Sequence, residues 1–220
     1  MVQQSILSLL LLPALALCAP HARHASQHAP AAVVARSSTP SYTEPGLVYF
    51  KNSCDYAVSI EEFAGPGCDC ADSTEVKSGS SWNDTLKTCD SGNRVLKVYK
   101  EGETAPMQFE YGIVSSYLWY DMSFINCVKD SYDFSACAGA GAGDSASAGW
   151  AMSSEKECEA YSCSGGEECC TQGYCDPYAT GMSIQPNTGC GADQGYTDPS
   201  AMGITIELCA SSDSSEAESQ

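Results

Sequence analysis

Positive charge is scarce in this chain. Its 220 residues hold 10 Lys and Arg against 28 Asp and Glu, a formal charge of −18. Phosphate contacts need clustered cations, so nucleic acid is excluded as a natural partner. Histidine is scarcer still: His21, His24 and His28 all lie in the first 30 residues. The rest of the chain has no imidazole for a Cys/His metal site or a hydrolytic triad. No metal and no cofactor is expected. Long apolar runs are also few. MVQQSILSLLLLPALALCA holds an apolar stretch of about a dozen residues, short of the roughly 20 that cross a bilayer. It ends in small residues around Ala16, Cys18 and Ala19. Residues 1–19 read as a secretory signal peptide whose only positive charge is the α-amino group, and no membrane association is expected. The C-terminal residues carry no apolar stretch of the kind that precedes a lipid anchor. Nowhere does a long segment show helical periodicity.

Cysteine, by contrast, is plentiful. Removal of the signal with Cys18 leaves 13 of the 14. That density belongs to an oxidising compartment, and places the protein outside the cell or at a cell wall with its cysteines in disulfides. An odd count leaves one thiol unpaired, and the chain is expected to be a monomer that this thiol could dimerise. Residues 20–45, rich in Ala, Ser, Pro and His, read as a flexible leader or pro-segment. The tail 210–220, with SSDSSEAESQ, reads as acidic and disordered. The body, 46–209, excludes Arg23, Arg36, Glu44, Asp213, Glu216 and Glu218. It keeps 8 basic and 24 acidic residues, so it is acidic in its own right.

The first half of the body is written in strands. LVYFKN (47–52), YAVSI (56–60), VLKVY (95–99), MQFEY (107–111) and LWYDMSF (118–124) are short, β-branched and aromatic, mostly with period-two alternation. VLKVY sets Val95, Lys97 and Tyr99 on one face and Leu96 and Val98 on the other. Turn signals separate them: GPG at 65–67, KSGSS at 77–81, CDSGN at 89–93 and EGET at 101–104. The pattern is that of a mainly β, antiparallel sandwich. From about 130 to 200 the texture changes to a disulfide-rich insertion. CAGAGAGDSASAG (137–149) reads as a loop. It has no Lys and no strand-to-helix setting, so it is not a phosphate loop. CEAYSCSGGEECCTQGYC (158–175) packs five cysteines into 18 residues, too dense to bury much apolar surface without disulfides. GITIELC (203–209) is the last strand. Asn83-Asp84-Thr85 is an N-glycosylation sequon. Glu61, Glu62, Asp69 and Asp72 read as a solvated acidic face in preference to a cation site.

VYFKNSCDYAVSI, with its Asn-x-Cys-x-Tyr-x-Val, resembles the opening strands of thaumatin-like proteins. VKSGSSW resembles that family's Ser-Gly-x-Ser-Trp turn, MQFEYGI with LWYDMSFIN its Tyr-x-Asp-x-Ser stretch, and ECCTQGYC with CGADQGYTDP its disulfide-rich second domain. The four motifs fall in order over about 160 residues, and the compact form most resembles secreted antigenic thaumatin-like proteins of fungi. The resemblance implies a thaumatin-like antiparallel β-sandwich with a small disulfide-rich loop domain. It also implies bridges Cys54–Cys209, Cys170–Cys175 and Cys163–Cys169. Cys127, Cys137, Cys158 and Cys190 would form two more in a pairing left open. Among Cys68, Cys70 and Cys89 there would be one bridge and one odd thiol.

Some members of the family carry an acidic cleft credited with weak β-1,3-glucanase activity. Glycoside hydrolysis needs two carboxyls flanking the bond. Asp121 fits the family's cleft aspartate. Its neighbouring acid position is Leu118, its glutamate position is Gln108 with Glu110 on the same strand face as a substitute, and Asp193 matches a further acid only loosely. The family's basic residue falls on Pro106. No residue is therefore assigned as catalytic, and Asp121, Glu110 and Asp193 remain the candidates. Trp82, Trp119 and Tyr120, with Tyr117, are candidates for an aromatic platform on which a glucan stacks, against the alternative of core packing. Alternation lets only one of Trp119 and Tyr120 point inward. The reading ranked first is a non-catalytic secreted protein of the antigen or elicitor type. It would act at the cell wall or on a host extracellular protein, with a β-glucan hydrolase or binder as the alternative.

Overall fold

The computed structural model describes residues 44–69, 72–129, 132–141, 149–164, 166–176 and 187–210. The expected signal peptide, nearly all of the leader, Cys70, much of the Gly/Ala/Ser loop and the acidic tail after Ala210 lie outside them.

Eleven strands form among the described residues: β1 (Leu47–Asn52), β2 (Val58–Ala64), β3 (Thr74–Val76), β4 (Ser81–Thr85), β5 (Arg94–Lys100), β6 (Met107–Val114), β7 (Tyr117–Ser123), β8 (Trp150–Ser153), β9 (Tyr161–Cys163), β10 (Asn187–Gly191) and β11 (Ile204–Leu208). They make two sheets, ordered β4-β1-β11-β8-β9 and β10-β7-β6-β5-β2-β3. All neighbours are antiparallel except β1 and β11, which run parallel with Val48 beside Ile204 and Asn52 beside Leu208. These two strands come from opposite ends of the body, so no hairpin forces them antiparallel. The segment 130–200 supplies β8 and β9 to the first sheet and β10 to the second.

Alternation builds the core. In β2 every second residue is buried, and Val48 and Phe50 of β1 are inaccessible. Phe50 meets Phe109 of the opposite sheet edge-to-face at 6.0 Å, and Trp150 lies 5.8 Å from Phe124. The charged groups that enter this core do so as a pair. Arg94 and Glu62, both buried, form an ion pair, and Asp84 of the first sheet lies 3.6 Å from the same guanidinium. Glu62 is therefore not part of a solvated face. Its neighbour Glu61 points the other way and accepts a hydrogen bond from the Tyr99 hydroxyl at 3.0 Å.

The Asn-x-Cys-x-Tyr-x-Val motif acquires a physical role. Buried Asn52 donates through Nδ2 to the carbonyls of Tyr56 and Val76, and its Oδ1 accepts from the Cys54 amide. The KSGSSW turn closes onto the same segment: Ser78 Oγ donates to the Cys54 carbonyl at 2.6 Å, and the Gly79 amide to Asn52. Gly79 holds φ +71°, which suits glycine.

Six disulfides join the described cysteines: Cys54–Cys209, Cys68–Cys89, Cys127–Cys137, Cys158–Cys190, Cys163–Cys169 and Cys170–Cys175. The open pairings thus fall as Cys127–Cys137 and Cys158–Cys190. Of the trio, Cys68 pairs with Cys89, and Cys70 lies outside the described residues.

Candidate functional site on the outer face of the six-stranded sheet

Residues directly opposite in an antiparallel ladder share a face. The register of β5, β6 and β7 therefore sets Val95, Glu110 and Asp121 in one row, with Lys97, Gln108 and Ser123 in the next. Leu96, Phe109 and Met122 form the corresponding rows on the core side. The row of interest looks away from the sandwich core.

Glu110 and Asp121 are direct cross-strand partners, with Cβ atoms about 4.5–5.5 Å apart in such a pair. Asp121 is only 7% exposed. Burial, and then the neighbouring Glu110 charge, pushes its carboxyl well above the usual range. Burial likewise raises Glu110 to about 7, against a pull downward from the Lys97 ammonium. Two carboxyls so placed hold protons rather than ionise together. Lys97 also lies 4.0 Å over the Phe63 ring. A cation thus does reach the glutamate, from the neighbouring strand β5 and not from the Pro106 position. Period-two alternation had put Lys97 on one face of β5, but only strand register could set that face beside Glu110.

The other candidates scatter. Asp193 follows β10 and accepts a hydrogen bond at 2.9 Å from the Tyr117 hydroxyl, which raises the Tyr117 pKa. Tyr117 is four residues from Asp121, about 13 Å along a strand, so Asp193 stands at the rim and not with the carboxyl pair. Trp119 shares the face of Asp121. Its indole lies over Gly189 of β10, where a Cβ would meet the ring at 2.8 Å, and its centroid is 6.2 Å from that of Tyr117. Tyr120 turns into the core, edge-to-face with Tyr161 at 6.2 Å, its hydroxyl donating to the Glu159 carbonyl. Trp82 packs against the core from β4, in the other sheet. The three rings proposed for a platform therefore occupy three separate environments, and Tyr117 with Trp119 make the pair on the acidic face. Asn83 of the sequon is exposed on β4. Among the described residues no three His, Cys, Asp or Glu side chains converge as a metal site requires.

The architecture is a thaumatin-like β-sandwich: mainly β, two-layered and stapled by disulfides. No family model and no curated protein matches the sequence. Solved structures do match in fold. One is the protein elicitor MoHrip2 from Magnaporthe oryzae, 17% identical, with a TM-score of 0.51 over 74% of this chain and 98% of that one. Another is the thaumatin-like xylanase inhibitor TLXI, 12% identical, with a TM-score of 0.42 over 74% of this chain and 98% of that one.

Proposed function

We propose that this chain is a secreted, non-catalytic thaumatin-like protein that acts outside the cell, at a wall or on a host surface, through its folded exterior. The observation that carries the reading is the state of the carboxyl pair. A glycosidase needs one ionised and one protonated carboxyl, both reaching the sugar. Glu110 is held to about 7 and Asp121 is pushed well above its usual range, so in mildly acid surroundings both keep their protons. Asp121, moreover, is nearly inaccessible. Recognition needs only a durable surface, which six disulfides and a two-sheet core supply. The fold shared with a protein elicitor supports a role of the same kind.

A second reading, a glucan binder with residual hydrolase activity, is favoured by the direct opposition of Glu110 and Asp121 beside Tyr117 and Trp119. One set of experiments separates the two. The purified protein is incubated with laminarin and insoluble β-1,3-glucan, and infiltrated into leaf tissue beside Glu110→Gln and Asp121→Asn. The first reading expects a leaf response of equal strength from all three proteins and no release of reducing ends. Reducing ends released by the wild type and abolished in both variants would replace it with the hydrolase. Sedimentation with insoluble glucan without hydrolysis would make the chain a binder.

A further inference from the structure

We propose that Asn83 carries an N-linked glycan and that this glycan covers the free edge of β4. The inference rests on the secretion reading above, because the sugar donor belongs to the secretory pathway. The sequon spans Asn83 to Thr85, and the burial of β4 alternates through it. Ser81, Asn83 and Thr85 are exposed, while Trp82 and Asp84 are turned inward. Asp84 is occupied there, 2.5 Å from Lys87 Nζ and 3.6 Å from the buried Arg94 guanidinium. The two side chains that define an acceptor therefore share one solvent face, and the residue between them anchors the strand. Around Asn83 that face is polar: Tyr49 lies opposite it with its hydroxyl bonded to Ser81 Oγ at 2.6 Å, and the Lys51–Glu207 ion pair lies beyond. A glycan there covers no apolar contact and displaces no core group.

Edge strands offer unpaired backbone groups to other chains and need blunting. Among the described residues four strands end the sheets. β3 and β9 have three residues each. β10 contains two glycines and is tied through Cys190 to Cys158. β4 has five residues, no proline, no lysine and its one charge turned inward. It is the edge with the least protection of its own, only its Thr85 amide being taken by Asp84 Oδ1 at 2.8 Å, and it carries the sequon. In the transfer, the Asn83 amide nitrogen attacks the anomeric carbon of an oligosaccharide carried on a polyprenyl pyrophosphate. An N–C bond forms, the bond from that carbon to the phosphate oxygen breaks, the lipid pyrophosphate leaves, and the amide proton passes to base.

The test expresses the full chain in eukaryotic secretory cells, once with its own N-terminus and once behind an added secretion leader. The peptide containing Asn83 is then mapped after enzymatic release of N-glycans. Conversion of Asn83 to aspartate on release is expected, lost in Asn83→Gln and Thr85→Ala and kept in Thr85→Ser. Protein that reaches the medium with an unmodified Asn83 overturns the site. A chain that leaves the cell only behind the added leader, yet is glycosylated there, overturns the secretion reading and supports the acceptor. The edge role is read by sedimentation after alkylation of any free thiol. Asn83→Gln should shift toward dimer with concentration where the glycosylated protein stays monomeric, and adding Ser81→Lys should reverse the shift. An Asn83→Gln protein that stays monomeric overturns the edge role.

Discussion

Glu110 and Asp121 face each other across a strand pair, Asp121 buried and Glu110 partly so, and the free energy of that arrangement depends on protons. Both are raised by burial first. A raised carboxyl binds a proton in the folded state that it has lost in the unfolded one, so stability falls as pH rises. The contribution is complete below about pH 4. It declines as pH passes the unfolded value for glutamate, 4.5, and is lost by the time Glu110 ionises near 7. One pKa unit corresponds to about 1.4 kcal/mol, so Glu110 alone accounts for a loss on the order of 3 kcal/mol. Denaturant midpoints measured from pH 4 to 8 should fall for the wild type and run flatter for Glu110→Gln and Asp121→Asn. Equal slopes in all three would mean that the pair is solvated. The resemblance marked Asp121, and alternation along β6 put Glu110 on the face of Gln108 as a substitute, but their direct opposition needed the β6–β7 register. Sequence alone left Lys97 unassigned, since a cross-strand diagonal exists only once the register is known. Glu62 was misread for the same reason, its partner Arg94 lying 32 residues away.

The β6–β7 hairpin shows what a single element contributes to this site. Its turn is Ser115-Ser116, with φ of 51° and 69°, both in the left-handed region. Such a two-residue turn matches strand twist and fixes the register that sets Glu110 against Asp121. Serine is poorly suited to it, whereas Asn-Gly adopts these angles with little strain. Ser115→Asn with Ser116→Gly should therefore stabilise the protein by about 1 kcal/mol, seen as a rise in thermal midpoint with the outer face unchanged. No gain would indicate that neighbouring contacts, not the turn, hold the angles. The hairpin strands were legible because MQFEY and LWYDMSF are rich in strand formers. β10 was not. NTGCG has two glycines and little strand propensity, and it becomes a strand because Trp119 and Tyr117 of β7 lie over Gly189 and Gly191. Four-residue β8 and three-residue β9 carry too few residues to show a period, and β4 hides behind a turn signal.

Over the whole molecule, the first and last strands of the body decide whether the sandwich closes. β1 sits between β4 and β11, and its parallel pairing with β11 joins residues more than 150 positions apart. Contacts of that separation are slow to find and costly in chain entropy. Cys54–Cys209 spans 155 residues at this seam, while Cys170–Cys175 and Cys163–Cys169 span 5 and 6. In the loop-entropy account the long bridge stabilises by roughly 5 kcal/mol and a five-residue bridge by about 2. Replacing Cys54 and Cys209 together by Ser should thus lower the denaturant midpoint more than replacing Cys170 and Cys175, with the slope of the transition measured alongside. If the short bridge proves the costlier loss, the disulfides act mainly by shaping the segment around β9 and not by restricting the unfolded chain. The entropic account expects the opposite order. Loss of the long bridge should free β1 and β11 together, because Asn52 and the Cys54 carbonyl tie the β1 end to the turn before β4. Hydrogen exchange should then report early opening across β4, β1 and β11, while β5, β6 and β7, with the carboxyl pair on their outer face, stay protected.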